Sequence, residues 1–82
     1  MNNSLMAVKI AARSAHAGQV QEVLTKYGCN IKTRIGFHET SETSCATDGI
    51  IIMQLFGKEE EIKEMQEELN GINDVQAKFI EF

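Results

Sequence analysis

The spacing of apolar residues along this chain switches back and forth between two periods, and that restricts its fold more than any other feature. From Leu5 to Arg13 the residues alternate, with Met6, Val8, Ile10 and Ala12 on one side and Leu5, Ala7, Lys9, Ala11 and Arg13 on the other. Such a segment is a strand with one face in a core. After Ser14, whose hydroxyl suits a helix N-cap, Ala17, Val20, Val23 (or Leu24) and Tyr27 recur at three- and four-residue intervals. Gly28 is expected to stop that helix in the left-handed conformation. Period two returns from Asn30 to Phe37, with Ile31, Thr33, Ile35 and Phe37 on one face.

The hydroxyl-rich stretch from His38 to Thr47, closed by Asp48-Gly49, reads as the connection of a long hairpin. Ile50 to Phe56 is almost wholly apolar between two glycines, which suits a central strand covered on both sides. Lys58 to Asn70 carries Ile62, Met65 and Leu69 along one helical stripe, continued by Ile72, and places Glu59, Glu60 and Glu61 at the positive end of the helix dipole. Val75, Ala77 and Phe79 then alternate with Gln76, Lys78, Ile80 and Phe82.

The order is strand, helix, strand, strand, helix, strand. Two helical stripes can cover only one face of one sheet, so the expected architecture is an α+β, ferredoxin-like βαββαβ two-layer sandwich with an antiparallel four-stranded sheet. Right-handed crossovers put the first and third strands in the middle and the second and fourth at the edges. Because Gln54 has the opposite parity, Met6, Val8, Ile10, Ile31, Ile35, Phe37, Ile51, Met53, Leu55, Val75, Ala77 and Phe79 are assigned to the helix-covered face. The other face then holds Leu5, Ala7, Ala11, Ile50, Ile52, Phe56, Ile80 and Phe82, a patch too apolar for free exposure. At ~25 cal/mol per Å² of apolar area, covering several hundred Å² is worth on the order of 10 kcal/mol gross, before the entropy of association is subtracted. Self-association as a homodimer or tetramer, through the open sheet face or the strand edges beside it, is the expectation.

Composition narrows the function. A chain of 82 residues without proline or a low-complexity linker has room for one domain, residues 1–82. Its net charge of −4, with 12 acidic against 8 basic residues, repels phosphate backbones and disfavours direct nucleic-acid binding. No run reaches the ~18 apolar residues of a membrane span, and Met1-Asn2-Asn3-Ser4 lacks the order of a signal peptide, so a cytoplasmic location without membrane contact is expected. Cys29 and Cys45 are read as reduced thiols, because disulfide-dependent small domains use four or more cysteines.

The stretch from Gln19 to Gly36 carries a further signal. Leu24, Tyr27 and Gly28 at a helix end, followed by Ile31 and then Arg34, Ile35 and Gly36, resemble the pattern of the small ACT-like proteins described as iron-only hydrogenase system regulators. Gly49 to Phe56, the acidic helix after it, and the Gly71 to Val75 spacing fit the same template. The resemblance covers nearly the whole chain from Val8 onward. It implies an oligomeric, non-enzymatic domain related to amino-acid-binding ACT domains and to the sensing domain of nickel-responsive repressors. One departure stands out: the ACT ligand loop usually opens its first helix with Asp-x-x-Gly, whereas this chain has Ser14-Ala15-His16-Ala17-Gly18.

Ser14, His16, Ala17 and Gly18 are the candidate ligand-binding residues, since free amides at a helix start suit a carboxylate or phosphate. The plainer reading is an ordinary N-cap. His38 and Cys45 flank the hairpin connection and offer soft metal ligands, but they lack a paired histidine nearby and read more simply as a solvated tip. No phosphate loop, nucleophile elbow or paired metal-binding histidine helix occurs. Glu59 to Glu61 reads as a solvated helix start, and Lys32 and Arg34 as charges that blunt an edge strand. The leading expectation is a regulatory module that takes a small ligand or a regulated partner protein and needs no cofactor. The alternative is a dimeric ferredoxin-like barrel enzyme with His16 or His38 as base, and a weaker one is a metal sensor using His38 and Cys45.

Overall fold

The computed structural model describes residues 4–11, 13–40 and 45–82, and the side chains of these except 13–17 and 37–48. Its elements are β1 (Ser4–Ile10), α1 (Arg13–Lys26), a 3-10 turn (Gly28–Asn30), β2 (Ile31–Thr40), β3 (Cys45–Leu55), α2 (Glu59–Asn70) and β4 (Val75–Glu81). They form one antiparallel sheet of order β2-β3-β1-β4. This is the ferredoxin-like α+β fold, with the middle and edge strands where right-handed crossovers require them.

The core is the one-sided layer that the periodicities imply. Met6 and Val8 of β1, Met53 and Leu55 of β3, and Val75 and Ala77 of β4 are buried under Val20, Leu24 and Tyr27 of α1 and its end, and under Ile62, Met65 and Leu69 of α2. Burying such side chains is worth about 1.5–3 kcal/mol each, so the helix-covered face of β1 and β3 dominates folding. Ile31, Ile51, Ile72 and Phe79 pack around its margin.

Ile35 does not join that core; it is 59% exposed. The pairing slips between Ile31, opposite Leu55, and Thr33, opposite Gln54, so Lys32 is an extra residue in β2. One extra residue inverts every later position on the strand. Ile35 therefore pairs with Ile52 and Phe37 with Ile50, both on the open face, while Arg34 pairs with Met53 and Gly36 with Ile51 on the helix face. The expectation that Ile35 and Phe37 face the helices is corrected accordingly.

Element ends differ too. β1 stops at Ile10, and the Ala11 N–H donates to the Asp74 carbonyl at 2.8 Å, so the first strand ends earlier than its alternation suggests. The connection expected from His38 to Thr47 is largely ladder, since β2 runs to Thr40 and β3 begins at Cys45, directly opposite. Gly28 does not take a left-handed φ; it starts the 3-10 turn, whose Asn30 N–H donates to the Tyr27 carbonyl at 2.9 Å.

That turn positions Asn30, which is buried rather than placed on an outer strand face. Its Nδ2 donates to the Phe56 carbonyl at 3.1 Å and to Glu61 Oε1 at 3.0 Å, and its own carbonyl accepts from the Phe56 N–H at 2.8 Å. The end of β3 and the start of α2 are thus held by one side chain. Gly57, at φ +111°, lets the chain pass it, since a Cβ there would lie 2.6 Å from Asn30 Nδ2. We predict that Gly57→Ala destabilises the domain by about 1–3 kcal/mol, combining a strained backbone with a displaced buried amide; urea unfolding followed by circular dichroism measures it, and an unchanged midpoint would refute the role given to Asn30.

Candidate functional site

Ser14, His16, Ala17 and Gly18 all fall inside α1, which begins at Arg13. Ser14 is thus a helical residue rather than the cap that the sequence suggests. The side chains of Ser14, His16 and Ala17 lie outside the described residues. Gly18 is exposed, and nothing lies within 4 Å of a Cβ built on it. His38 pairs with Gly49 and Cys45 with Thr40 on the β2-β3 hairpin; their side chains are also outside the described residues. Among the described residues no group of three or more His, Cys, Asp or Glu is placed to hold a metal ion, and no helix is long and apolar enough to cross a membrane.

The opposite pole carries an open cleft between the end of α1, the 3-10 turn and α2. Tyr27, Cys29, Asn30, Phe56, Glu61 and Glu68 contribute to its lining. Glu68 Oε2 accepts from the Tyr27 hydroxyl at 2.5 Å and from Lys26 Nζ at 2.8 Å, and Lys26 Nζ stands 5.4 Å from the Tyr27 ring centre. The hydrogen bonds from Lys26 and Tyr27 hold the Glu68 carboxyl below the ordinary glutamate range. The bond to Glu68 reciprocally raises both Lys26 and Tyr27. This cluster ties α1 to α2. Cys29 is an exposed free thiol. Periodicity alone does not single out the cleft, because Asn30 and Gly57 acquire their roles only when β3, the turn and α2 converge.

The uncovered face of the sheet is a second feature. Its register rows, read from β2 to β4, are Thr33, Gln54, Leu5, Ile80; then Ile35, Ile52, Ala7, Lys78; then Phe37, Ile50, Lys9, Gln76. Leu5, Ala7, Ile50 and Ile52 are half-buried, while Ile80 is 42% and Phe56 54% exposed. The only charged residues in these rows, Lys9 and Lys78, sit on the β1-β4 half. The β2-β3 half is uncharged, polar at Thr33 and Gln54 and apolar at Ile35, Ile52 and Ile50, and exposed apolar residues grouped in this way are typical of interaction surfaces.

No protein-family model matches the chain, and no curated protein matches it. Solved structures do. An uncharacterised protein of Thermotoga maritima superposes with a TM-score of 0.80 at 21% identity, over 94% of this chain and 91% of that one. A protein of Thermus thermophilus described as PII-like and signalling gives 0.60 at 15% identity, over 94% and 83%. A nitrogen regulatory PII-like protein of Thiomonas intermedia, bound to ADP, AMP and bicarbonate, gives 0.53 at 14% identity, over 94% and 90%. At these identities the likeness establishes the fold that the chain shares with them.

A depressed carboxyl stabilises the folded state above its unfolded pKa, and that contribution fades as pH falls through the folded value. The raised Lys26 and Tyr27 act at the other end: their contribution is complete below their unfolded pKa values and fades as pH rises through the folded ones. We predict that Glu68→Gln flattens the acid limb below about pH 4.3 and the alkaline limb above about pH 10 in a plot of melting temperature against pH. Limbs that keep their slopes would show that the three groups are not coupled in solution.

Proposed function

We propose that this chain is a regulatory domain that self-associates and senses a small ligand, without catalysing a reaction. The uncovered apolar field of Leu5, Ala7, Ile35, Ile50, Ile52 and Ile80 carries the reading. A domain this small gains stability by covering such a surface with another chain. The open sheet face and the strand edges beside it are the places for a homodimer or tetramer contact.

The fold shared with PII-like proteins, one of them bound to ADP and AMP, supports a sensing role. So does the resemblance of Leu24 to Gly36 to iron-only hydrogenase system regulators. The ligand position we favour is the start of α1, at Ser14, His16, Ala17 and Gly18, where the unpaired amides of the first turn, those before Ala17, suit an anionic group. A ligand held there biases assembly only to the extent that it binds one assembly state better than another.

A thermal-shift panel of adenine nucleotides, amino acids, nickel and zinc tests the sensing role. A ligand present at about a hundred times its Kd adds about 2.7 kcal/mol, which moves the melting temperature of a domain this size by roughly 10 °C or more. Gly18→Asp, placing a negative charge in the first turns of α1, is expected to abolish the shift for an anionic ligand. No shift across the panel would overturn small-molecule sensing and leave a protein partner as the regulated species; a shift with metals that disappears in a His38→Ala, Cys45→Ala double variant would move the site to the hairpin.

A further inference from the structure

Asn70 and Gly71 form the only Asn-Gly pair in the sequence, and they stand at the end of α2. Such a pair is chemically labile, because the backbone nitrogen that follows an asparagine can attack the side-chain Cγ, and a glycine leaves that approach unhindered. Both residues are exposed, so water reaches them.

Two sets of hydrogen bonds oppose the attack in the folded chain. The Asn70 amide is clamped to the edge strand β4: its Oδ1 accepts from the Ala77 N–H at 2.7 Å, and its Nδ2 donates to the Ala77 carbonyl at 3.2 Å, beside Gln66 Nε2 at 3.0 Å. The attacking nitrogen is held separately, since the Gly71 N–H donates to the carbonyls of Glu67 at 3.0 Å and Glu68 at 3.2 Å. The reaction needs that N–H to ionise, and bonds that hold its proton disfavour ionisation. The fold itself does not call for glycine here. Gly71 has φ −79° and ψ −9°, which any residue adopts, and a Cβ would stand 3.5 Å from the Glu67 and Glu68 carbonyl oxygens, an ordinary contact.

We propose that Asn70-Gly71 is a deamidation site gated by the fold, silent while α2 and β4 are joined and reactive when that joint opens. In the open chain the Gly71 nitrogen gives its proton to solvent base and bonds to Asn70 Cγ. The Cγ–Nδ2 bond breaks, and Nδ2 leaves as ammonia after taking a proton back from solvent. A five-membered succinimide remains. Water then adds to one of its two carbonyl carbons and breaks that C–N bond, leaving an aspartyl or an isoaspartyl residue. The net change is water in and ammonia out, with no electron exchanged.

The product does not fit the clamp. One carboxylate oxygen can accept from the Ala77 N–H, but the other faces the Ala77 carbonyl with no proton to give. The new negative charge also lies at the negative end of the α2 dipole, close in sequence to Glu67 and Glu68. The isoaspartyl form lengthens the main chain by one carbon just where the Ile72 N–H closes on the Leu69 carbonyl at 3.1 Å. Each completed reaction therefore makes the next opening easier, and the site is a one-way record of local opening at the α2-β4 joint.

Incubation of the full chain at mildly alkaline pH, natively and in guanidinium chloride, followed by tryptic mass spectrometry, tests this. The peptide from Glu64 to Lys78 is expected to gain one mass unit, placed at Asn70 by fragmentation, roughly tenfold or more faster in denaturant than natively. Gly71→Ala is expected to fold as the wild type does and to react more slowly in denaturant. The deamidated protein, separated by its added charge, should melt lower and exchange its Gly71, Ile72 and Ala77 amides faster. No gain at Asn70 in denaturant would overturn the site, and equal rates in the two conditions would overturn the gate. A Gly71→Ala chain that reacts as fast as the wild type in denaturant would refute the succinimide route. A product that melts and exchanges like the starting protein would refute the one-way effect.

Discussion

Two helices have to cover four strands, and they can do so on one side only. Met6, Val8, Met53 and Leu55 at the sheet centre are fully buried because α1 and α2 lie over them. Everything beyond that layer is a consequence of having no third helix: an apolar open face, two unequal edges, and a pole where both helices must be tied to the end of β3. The burial is the large favourable term. The hydrogen-bonded details decide how the remaining surfaces are presented.

Three local devices do this. Asn30, with Gly57, fixes the passage from β3 to α2 through two side-chain bonds and one main-chain bond. Glu68 joins the ends of α1 and α2 through Lys26 and Tyr27. Asn70 occupies the outer groups of Ala77 and closes the β4 edge. α2 supplies a partner to each of them, so the acidic helix is more than a cover: Glu61 and Asn70 satisfy part-buried amide and main-chain groups, and Glu68 ties α2 to the end of α1.

A bulge of one residue sets the character of the open face. Without the extra Lys32, Ile35 would pack beneath the helices, and the β2 edge would carry Arg34 on the side now occupied by an isoleucine. With it, Ile35 joins Ile52 and Ile50 on the open face beside the polar pair Thr33 and Gln54, while Lys9 and Lys78 stay on the other half.

The order of elements, the helix-covered face of β1, β3 and β4, and the apolar excess on the other face were legible in the sequence, because alternation and three-to-four spacing report directly which side of an element is buried. So were the helix stripes through Val20, Tyr27, Ile62, Met65 and Leu69, with the choice between Val23 and Leu24 open until packing buried Leu24. The side of Ile35 was not, since period-two patterning carries no mark of where a strand gains a residue; only pairing with β3 reveals it. The start of α1 before Ser14, the ladder through Thr40 and Cys45, and the 3-10 turn at Gly28 depend on partners distant in the chain. Asn30, Gly57, Glu68 and Asn70 look like ordinary polar or turn residues until tertiary contact supplies an acceptor or donor. Local pattern determines which surface of each element seeks burial, and long-range geometry alone decides which polar groups meet and which edge of the sheet stays open.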